Sequence, residues 1–285
     1  MTTEIKDQVR EFYDQVGWQE ISNGLYQNAR YEDLRPVSQD YIHRCHLRVS
    51  RHLAPTGRYL LDAGSGPIQY PEYLEYSKGY SKRVCMDISA VALNEARGRI
   101  GDHGMFVVAD IANLPFKEDA FDAVVTLHTI HHLPESEHMH AFDGIFRTMV
   151  PGSSAVIVNG WDESTFSRLT DPLIALARRL RGQSPNKKKA VKKPHKGAQR
   201  GTYVQKHNAD WFKAEVGSRF PMQIYVWRSL NVRFMRNFIK NRLGGRTILH
   251  FVYWFEERFP HFAGEHGAYP LIVLRKPDNS EIQRE

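Results

Sequence analysis

Five short apolar runs, none of them alternating with polar residues, constrain this chain most. They are Tyr59-Leu60-Leu61, Arg83-Val84-Cys85-Met86, Met105-Phe106-Val107-Val108, Ala123-Val124-Val125-Thr126 and Ala155-Val156-Ile157-Val158. A strand that shows water one face alternates; a strand buried on both faces does not, and that is the habit of parallel sheets covered by helices. The spacing between runs leaves room for helices, and Ala90-Val91-Ala92-Leu93-Asn94-Glu95-Ala96-Arg97 is composed of good helix formers. Two later runs, Gln223 to Trp227 and Tyr269 to Leu274, bring the strand count to seven. Alternation of strand and helix predicts an α/β fold with a doubly wound, mostly parallel seven-stranded sheet.

The flanks divide the chain further. In residues 1–55, Val9, Phe12, Tyr13 and Val16 fall at helical spacing before Gly17, and a second helix is predicted from Ser38 to Leu53. This aromatic-rich region (Phe12, Tyr13, Trp18, Tyr26, Tyr31) reads as a helical lid over the core at 56–160. Residues 161–208 are expected to hold a helix and a flexible basic loop. Between Arg181 and Lys206 stand nine Lys or Arg and no acid, broken by Gly182, Pro185, Pro194, Gly197 and Gly201. The rest, 209–285, completes the fold with a helix (Ala209 to Phe220), a strand, a long helical stretch (Val232 to Phe259) and the last strand. An aromatic and basic helical insertion is expected at 230–260.

Charge and cysteine usage narrow the setting. The net charge of +7 belongs to the basic loop, whose nine cations exceed it, so the remainder of the chain is slightly acidic. A nucleic-acid partner is therefore disfavoured. Two cysteines, Cys45 and Cys85, make a disulfide framework improbable and point to a reducing cytosol. No apolar stretch reaches the roughly 20 residues a membrane span needs, and the first residues do not read as a signal peptide.

The chemistry concentrates where strands end. In Leu60-Leu61-Asp62-Ala63-Gly64-Ser65-Gly66-Pro67 an acid closes a buried strand, and two glycines form a turn in which backbone can approach a ligand closely. The second strand ends at Asp87, followed by Ile88-Ser89; a carboxylate there can accept both hydrogen bonds of a ribose diol. The third ends at Asp110-Ile111, where an acid can accept from an exocyclic amine such as that of adenine. Each Asp alone could serve as a helix N-cap. Three at one sheet edge repel each other unless a ligand or partner uses them. An acid directly before the glycines also argues against a dinucleotide, whose pyrophosphate would lie beside it.

These segments, with FDAVVTLHTIHHL and the turn Met149-Val150-Pro151-Gly152 before AVIVNG, resemble the class I S-adenosylmethionine-dependent methyltransferases, in particular the small-molecule group that includes the ubiquinone and menaquinone C-methyltransferases. The resemblance covers about Gly57 to Gly160. It implies a Rossmann-like methyltransferase fold and S-adenosylmethionine as cofactor. It further implies that Gly64, Ser65 and Gly66 lie against the methionine portion and Asp62 at its amino group. Asp87 would hold the ribose, Ile88 the adenine face, Asp110 and Ile111 the adenine amine, and His128 would also border the cofactor. Where the family usually has a third glycine, this chain has Ile68, after Pro67.

His128, His131 and His132 are spaced to share one face of a helix. No Cys or acid completes a metal set, so no metal is expected. The alternatives are a packing role or, for His131 or His132, general-base catalysis, since imidazole titrates near neutral pH. A small-molecule acceptor for O- or C-methylation is expected between the lid and the 230–260 insertion. A lipid or lipid-linked acceptor at a membrane surface, a homodimer surface, RNA methylation and a catalytically silent cofactor-binding subunit remain the alternatives.

Overall fold

The computed structural model describes residues 2–18, 20–22, 25–26, 32–180, 182 and 202–278. The basic loop 185–200 and the lid residue Tyr31 lie outside the described residues. Seven strands form one sheet: β1 (Gly57–Ala63), β2 (Tyr80–Asp87), β3 (Gly104–Val108), β4 (Phe121–Leu127), β5 (Met149–Val158), β6 (Met222–Arg228) and β7 (Tyr269–Arg275). Their order is β3-β2-β1-β4-β5-β7-β6, with β7 antiparallel to both its neighbours and every other pairing parallel. All seven sequence-predicted strands are present. The strand order reverses between β1 and β4, and in open sheets of this kind the crevice for ligands lies there, beyond the carboxyl ends of the strands.

Both faces of the sheet are covered along its central strands, which is why those strands do not alternate; the edge strand β3, expected to be buried as well, leaves Met105 and Val108 exposed. Leu61, Met86, Val124 and Ile157 pack on one side with Phe142 and Ile145 of α4 (His138–Thr148). Leu60, Cys85, Val125 and Val156 pack on the other with Leu93 and Ala96 of α3 (Ala90–Ile100). Ser89 caps α3, its hydroxyl accepting from Ala92 N at 3.1 Å. N-terminal to the sheet lie α1 (Thr2–Phe12), which continues as a wider turn over Tyr13–Gly17, and α2 (Gln39–His46).

The long helices expected at the flanks are broken. The stretch from Ser38 to Leu53 splits into α2 and a tight turn at Val49–His52. Val232 to Phe259 splits into α6 (Val232–Phe238) and α7 (Gly245–Arg258), followed by α8 (Pro260–His266). Gly244 stands at φ 66 between them, a left-handed turn that a residue with a Cβ adopts only at a cost. The helix predicted from Ala209 to Phe220 is a single turn, Ala209–Trp211, running into a wider one at Phe212–Val216. Another helix, α5 (Thr165–Leu180), leads toward the basic loop.

A third core joins α2 to α6 and α7 through Tyr41, Ile42, Cys45, Met235, Leu249 and Tyr253. At its centre the fully buried Glu256 pairs with Arg48 at 2.9 Å and accepts from the Tyr41 hydroxyl at 2.7 Å. Removing one partner of such a buried pair would leave the other charge uncompensated.

Candidate functional site

A cavity of about 380 Å³ opens beyond the carboxyl ends of β1, β2, β3 and β4, within the usual size of small-molecule sites. Asp62, Gly64, Ser65, Gly66, Asp87, Ile88, Asp110, Ile111, His128, His131 and His132 all line it, so the residues singled out from sequence share one space. Pairing sets this up. Asp62 is in register with Cys85 and Asp87 with Val108, which aligns the three strand ends.

The glycine turn has a physical need for its glycines. Gly64 stands at φ 77, and a Cβ there would lie 2.3 Å from Thr129; Gly66 stands at φ 55, and a Cβ there would lie 2.9 Å from the Trp18 ring. Ile68, at the position of the missing third glycine, also has a positive φ of 53 and is buried. A β-branched residue pays strain in this region, which its burial beside Tyr70 and Tyr73 offsets.

The three carboxylates are held differently. Asp62 is buried and takes both Nε (3.1 Å) and Nη2 of Arg83 on one oxygen, leaving Oδ1 without a protein partner among the described residues. Asp87 accepts from Gly66 N and Ser89 N, each at 2.9 Å; burial nevertheless pushes its carboxyl up to about 6, with Asp62 and Asp14 adding to the rise. Asp110 accepts from Ala112 N at 2.9 Å, so it is an N-cap as well as a cavity residue, and it meets Lys6 of α1 at 2.5 Å.

The N-terminal segment is fastened near several strand ends. Lys6 bridges Asp110 and Glu137, Asp14 accepts from the Ser89 hydroxyl at 2.5 Å, and the Tyr13 hydroxyl meets His132 Nε2 at 2.8 Å. Trp18 stacks on Tyr13 with ring centroids 5.1 Å apart.

The histidines do not share a helix face. His128 stands at φ 58, and Ile130–His132 make one tight turn. His132 has both ring nitrogens engaged, Nδ1 with Tyr203 O at 2.7 Å and Nε2 with Tyr13, and burial pulls its pKa down to about 4. His131 meets Asn159 Oδ1 through Nδ1 at 3.2 Å; the amide oxygen accepts, so Nδ1 carries the proton and Nε2 has no partner among the described residues. Burial, then His132 and His128, push its pKa well below the usual value. Among the described residues no group of three or more His, Cys, Asp or Glu is arranged to hold a metal.

Also lining the cavity are residues the sequence did not single out as site residues: Glu32, Tyr70, Tyr73, Lys206, Arg228 and Tyr269. The 230–260 insertion was expected to wall the acceptor pocket, but no residue of it is among the cavity's lining. Its apolar residues are used against α2 instead; Arg228, at the last position of β6, reaches the cavity in its place. Lone charged residues of this kind carry no motif, so only their burial together identifies them.

Residues 61–157 match a family model described as a methyltransferase domain. A ubiquinone/menaquinone biosynthesis C-methyltransferase of Coxiella burnetii is 27% identical over 138 residues, covering 46% of this chain and 54% of that protein. A probable tRNA methyltransferase 9B of Bos taurus is 28% identical over 130 residues, covering 45% of this chain and 27% of that protein. The chain thus matches about half or less of the length of these curated relatives. Among solved structures, a complex of DhpI with SAM and HEP superposes with a TM-score of 0.55 at 14% identity, covering 96% of this chain and 99% of that one. That likeness shows the fold.

Proposed function

From the class I S-adenosylmethionine-dependent methyltransferase domain that this chain carries, we propose that the protein methylates a small-molecule acceptor. The observation that carries this is the meeting of three strand-end carboxylates and the left-handed Gly64–Gly66 turn in one cavity at the reversal of strand order. S-adenosylmethionine, when bound, supplies an electrophilic methyl group on a sulfonium sulfur. In this reading the Gly64–Gly66 backbone receives its methionine part, and Asp62 Oδ1, without a protein partner among the described residues, accepts from its ammonium. Asp87 holds the ribose hydroxyls, Ile88 lies on the adenine, and Asp110 with Ile111 meets the adenine amine.

The chain's own contribution is placement and exclusion of water. Methyl transfer needs a nucleophile in line with the methyl group, and positioning can supply most of the rate. The lid contacts of Lys6, Tyr13, Asp14 and Trp18 close one side of the site. His131, with Nε2 uncommitted, is placed to accept a proton or hydrogen bond from an acceptor hydroxyl; His132 is committed at both nitrogens and acts as a lid anchor. Calorimetry with S-adenosylmethionine tests the cofactor half: saturable binding that Asp87→Ala abolishes is expected, and no binding by the wild type would sink the reading. Transfer of a labelled methyl group to fractionated cell extract tests the acceptor half.

A second reading, an acceptor met at a membrane surface, is favoured by one observation. Phe251, Trp254 and Phe262 of α7 and α8 are more than half exposed, near Arg246 and Arg258. Aromatic and basic residues together suit anionic lipid interfaces. Among the described residues no helix is long and apolar enough to cross a membrane.

A further inference from the structure

The cavity's lining holds a buried cation whose hydrogen-bonding capacity the protein does not use. Arg228 is 1% exposed, and its Nε and Nη1 have no hydrogen-bond partner among the described residues. Its ion-pair contact with Glu32 Oε1, at 3.2 Å, lacks hydrogen-bond geometry. Glu32 is itself divided, its Oε2 lying 3.3 Å from the buried His46 Nε2. The guanidinium is centred 4.5 Å over the Tyr269 ring. Guanidinium donors left unmade in a buried site are costly, and natural interiors satisfy such groups as a rule. Arg228 also lines the cavity, and a planar guanidinium with unmade donors at a cavity wall suits a ligand that presents two oxygens.

A second cation stands nearby. Lys206 lines the same cavity and has no hydrogen bond or ion pair among the described residues. Arg228 and Lys206 both lie close enough to His128 to depress its pKa, although burial is the larger cause. His128 is held neutral, with its pKa pushed down to about 3, so it neither adds to nor cancels their charge. The acids are unevenly placed. Asp62 is paired with Arg83, Asp110 with Lys6, and Asp87 belongs to the Gly66–Ser89 backbone. Among the cavity's lining one carboxylate, Glu32, shared with His46, stands against these two cations, while Asp162, outside the lining, also acts on Lys206. The lining around Arg228 and Lys206 therefore holds more cations than carboxylates, beside Tyr70, Tyr73 and Tyr269.

We propose that the acceptor is an anionic small molecule whose carboxylate or phosphoryl oxygens are held by Arg228 and Lys206, with the atom to be methylated lying between that anchor and the Gly64 turn. This rests on the methyltransferase reading above, and it adds the chemical class of the acceptor. The anchoring end does not react: it orients the molecule and selects against neutral analogues, for which a buried charge would be left without a partner.

The test titrates inorganic phosphate, and separately acetate, into the protein saturated with S-adenosylhomocysteine, at constant ionic strength made up with chloride. Calorimetry should show saturable binding of at least one of them, weakened tenfold or more by Lys206→Met and by the charge-balanced pair Glu32→Gln with Arg228→Gln. Lys206 makes no hydrogen bond or ion pair among the described residues, so that variant tests the site even if the double variant fails to fold. Binding of phosphate but not acetate assigns a phosphoryl acceptor, and the reverse a carboxylate. Absence of saturable binding by both anions, or binding unchanged by Lys206→Met, would overturn the proposal. Failure of the methyltransferase reading shows separately, as no binding of S-adenosylhomocysteine by the wild type.

Discussion

Replacing Asp87 by Asn separates the carboxylate's role in binding from its effect on stability. Burial raises the Asp87 carboxyl from its ordinary 3.8 to about 6 in the cofactor-free fold. A carboxyl whose folded pKa lies above its unfolded value holds its proton more tightly when folded. Ionising it therefore costs stability: nothing below pH 3.8, and the full amount above about 6. At about 1.4 kcal/mol per pH unit, that amount is about 3 kcal/mol. Asn carries no such cost, but it keeps only one acceptor for the two amides of Gly66 and Ser89. The unpaired amide costs about 1–3 kcal/mol at every pH. Near pH 8 the two effects roughly cancel or leave the variant slightly more stable; near pH 4 the variant is the weaker. Urea denaturation from pH 4 to 8 should show wild-type stability, relative to Asp87→Asn, falling by about 3 kcal/mol, with the change centred between pH 4 and 6. In the same variant S-adenosylhomocysteine should bind ten- to a hundredfold more weakly, since a hydrogen bond to a charged acceptor contributes about 1.5–3 kcal/mol. A stability difference that stays flat with pH would refute the burial argument, and undiminished affinity would refute the ribose role.

Three other perturbations have definite expected outcomes. Arg83→Met leaves the buried Asp62 uncompensated and should lower unfolding free energy by about 3–5 kcal/mol; a loss under 1 kcal/mol in urea titration would mean that Asp62 is solvated. Gly66→Ala places a Cβ at φ 55 against Trp18, so cofactor affinity should fall at least tenfold and tryptophan emission should shift red as the ring is displaced; unchanged emission would contradict the contact. Lys6→Met removes the bridge from α1 to Asp110 and Glu137. Amide exchange in α1 should quicken by about 1–3 kcal/mol of lost protection, and equal exchange rates would show that the bridge does not hold α1 in place.

The cofactor half of this protein is legible in its sequence because it is built from local patterns. Unalternating runs at Leu60-Leu61, Val124-Val125 and Val156-Ile157 mark strands covered on both faces, and the residue ending each strand is carried to the sheet edge by parallel register. That is why Asp62, Asp87 and Asp110 meet in one cavity. Helices at the flanks were harder to bound, because Gly244 breaks a pattern that apolar spacing alone would continue.

The partners of the charges belong to the tertiary structure. Nothing in the sequence pairs Asp62 with Arg83, Lys6 with Asp110, or Glu32 with Arg228, since each pair is far apart in the chain and its energy depends on shared burial rather than on spacing. The histidine segment shows the same limit. Spacing suggested a common helix face, whereas one left-handed residue and one tight turn give His131 and His132 different hydrogen-bond partners. The sequence by itself therefore determined the sheet and the strand-end carboxylates, because periodicity and strand ends are local properties. Only the fold decided that Arg228, ending an edge strand, lies in the cavity with idle donors, because burial belongs to the folded whole.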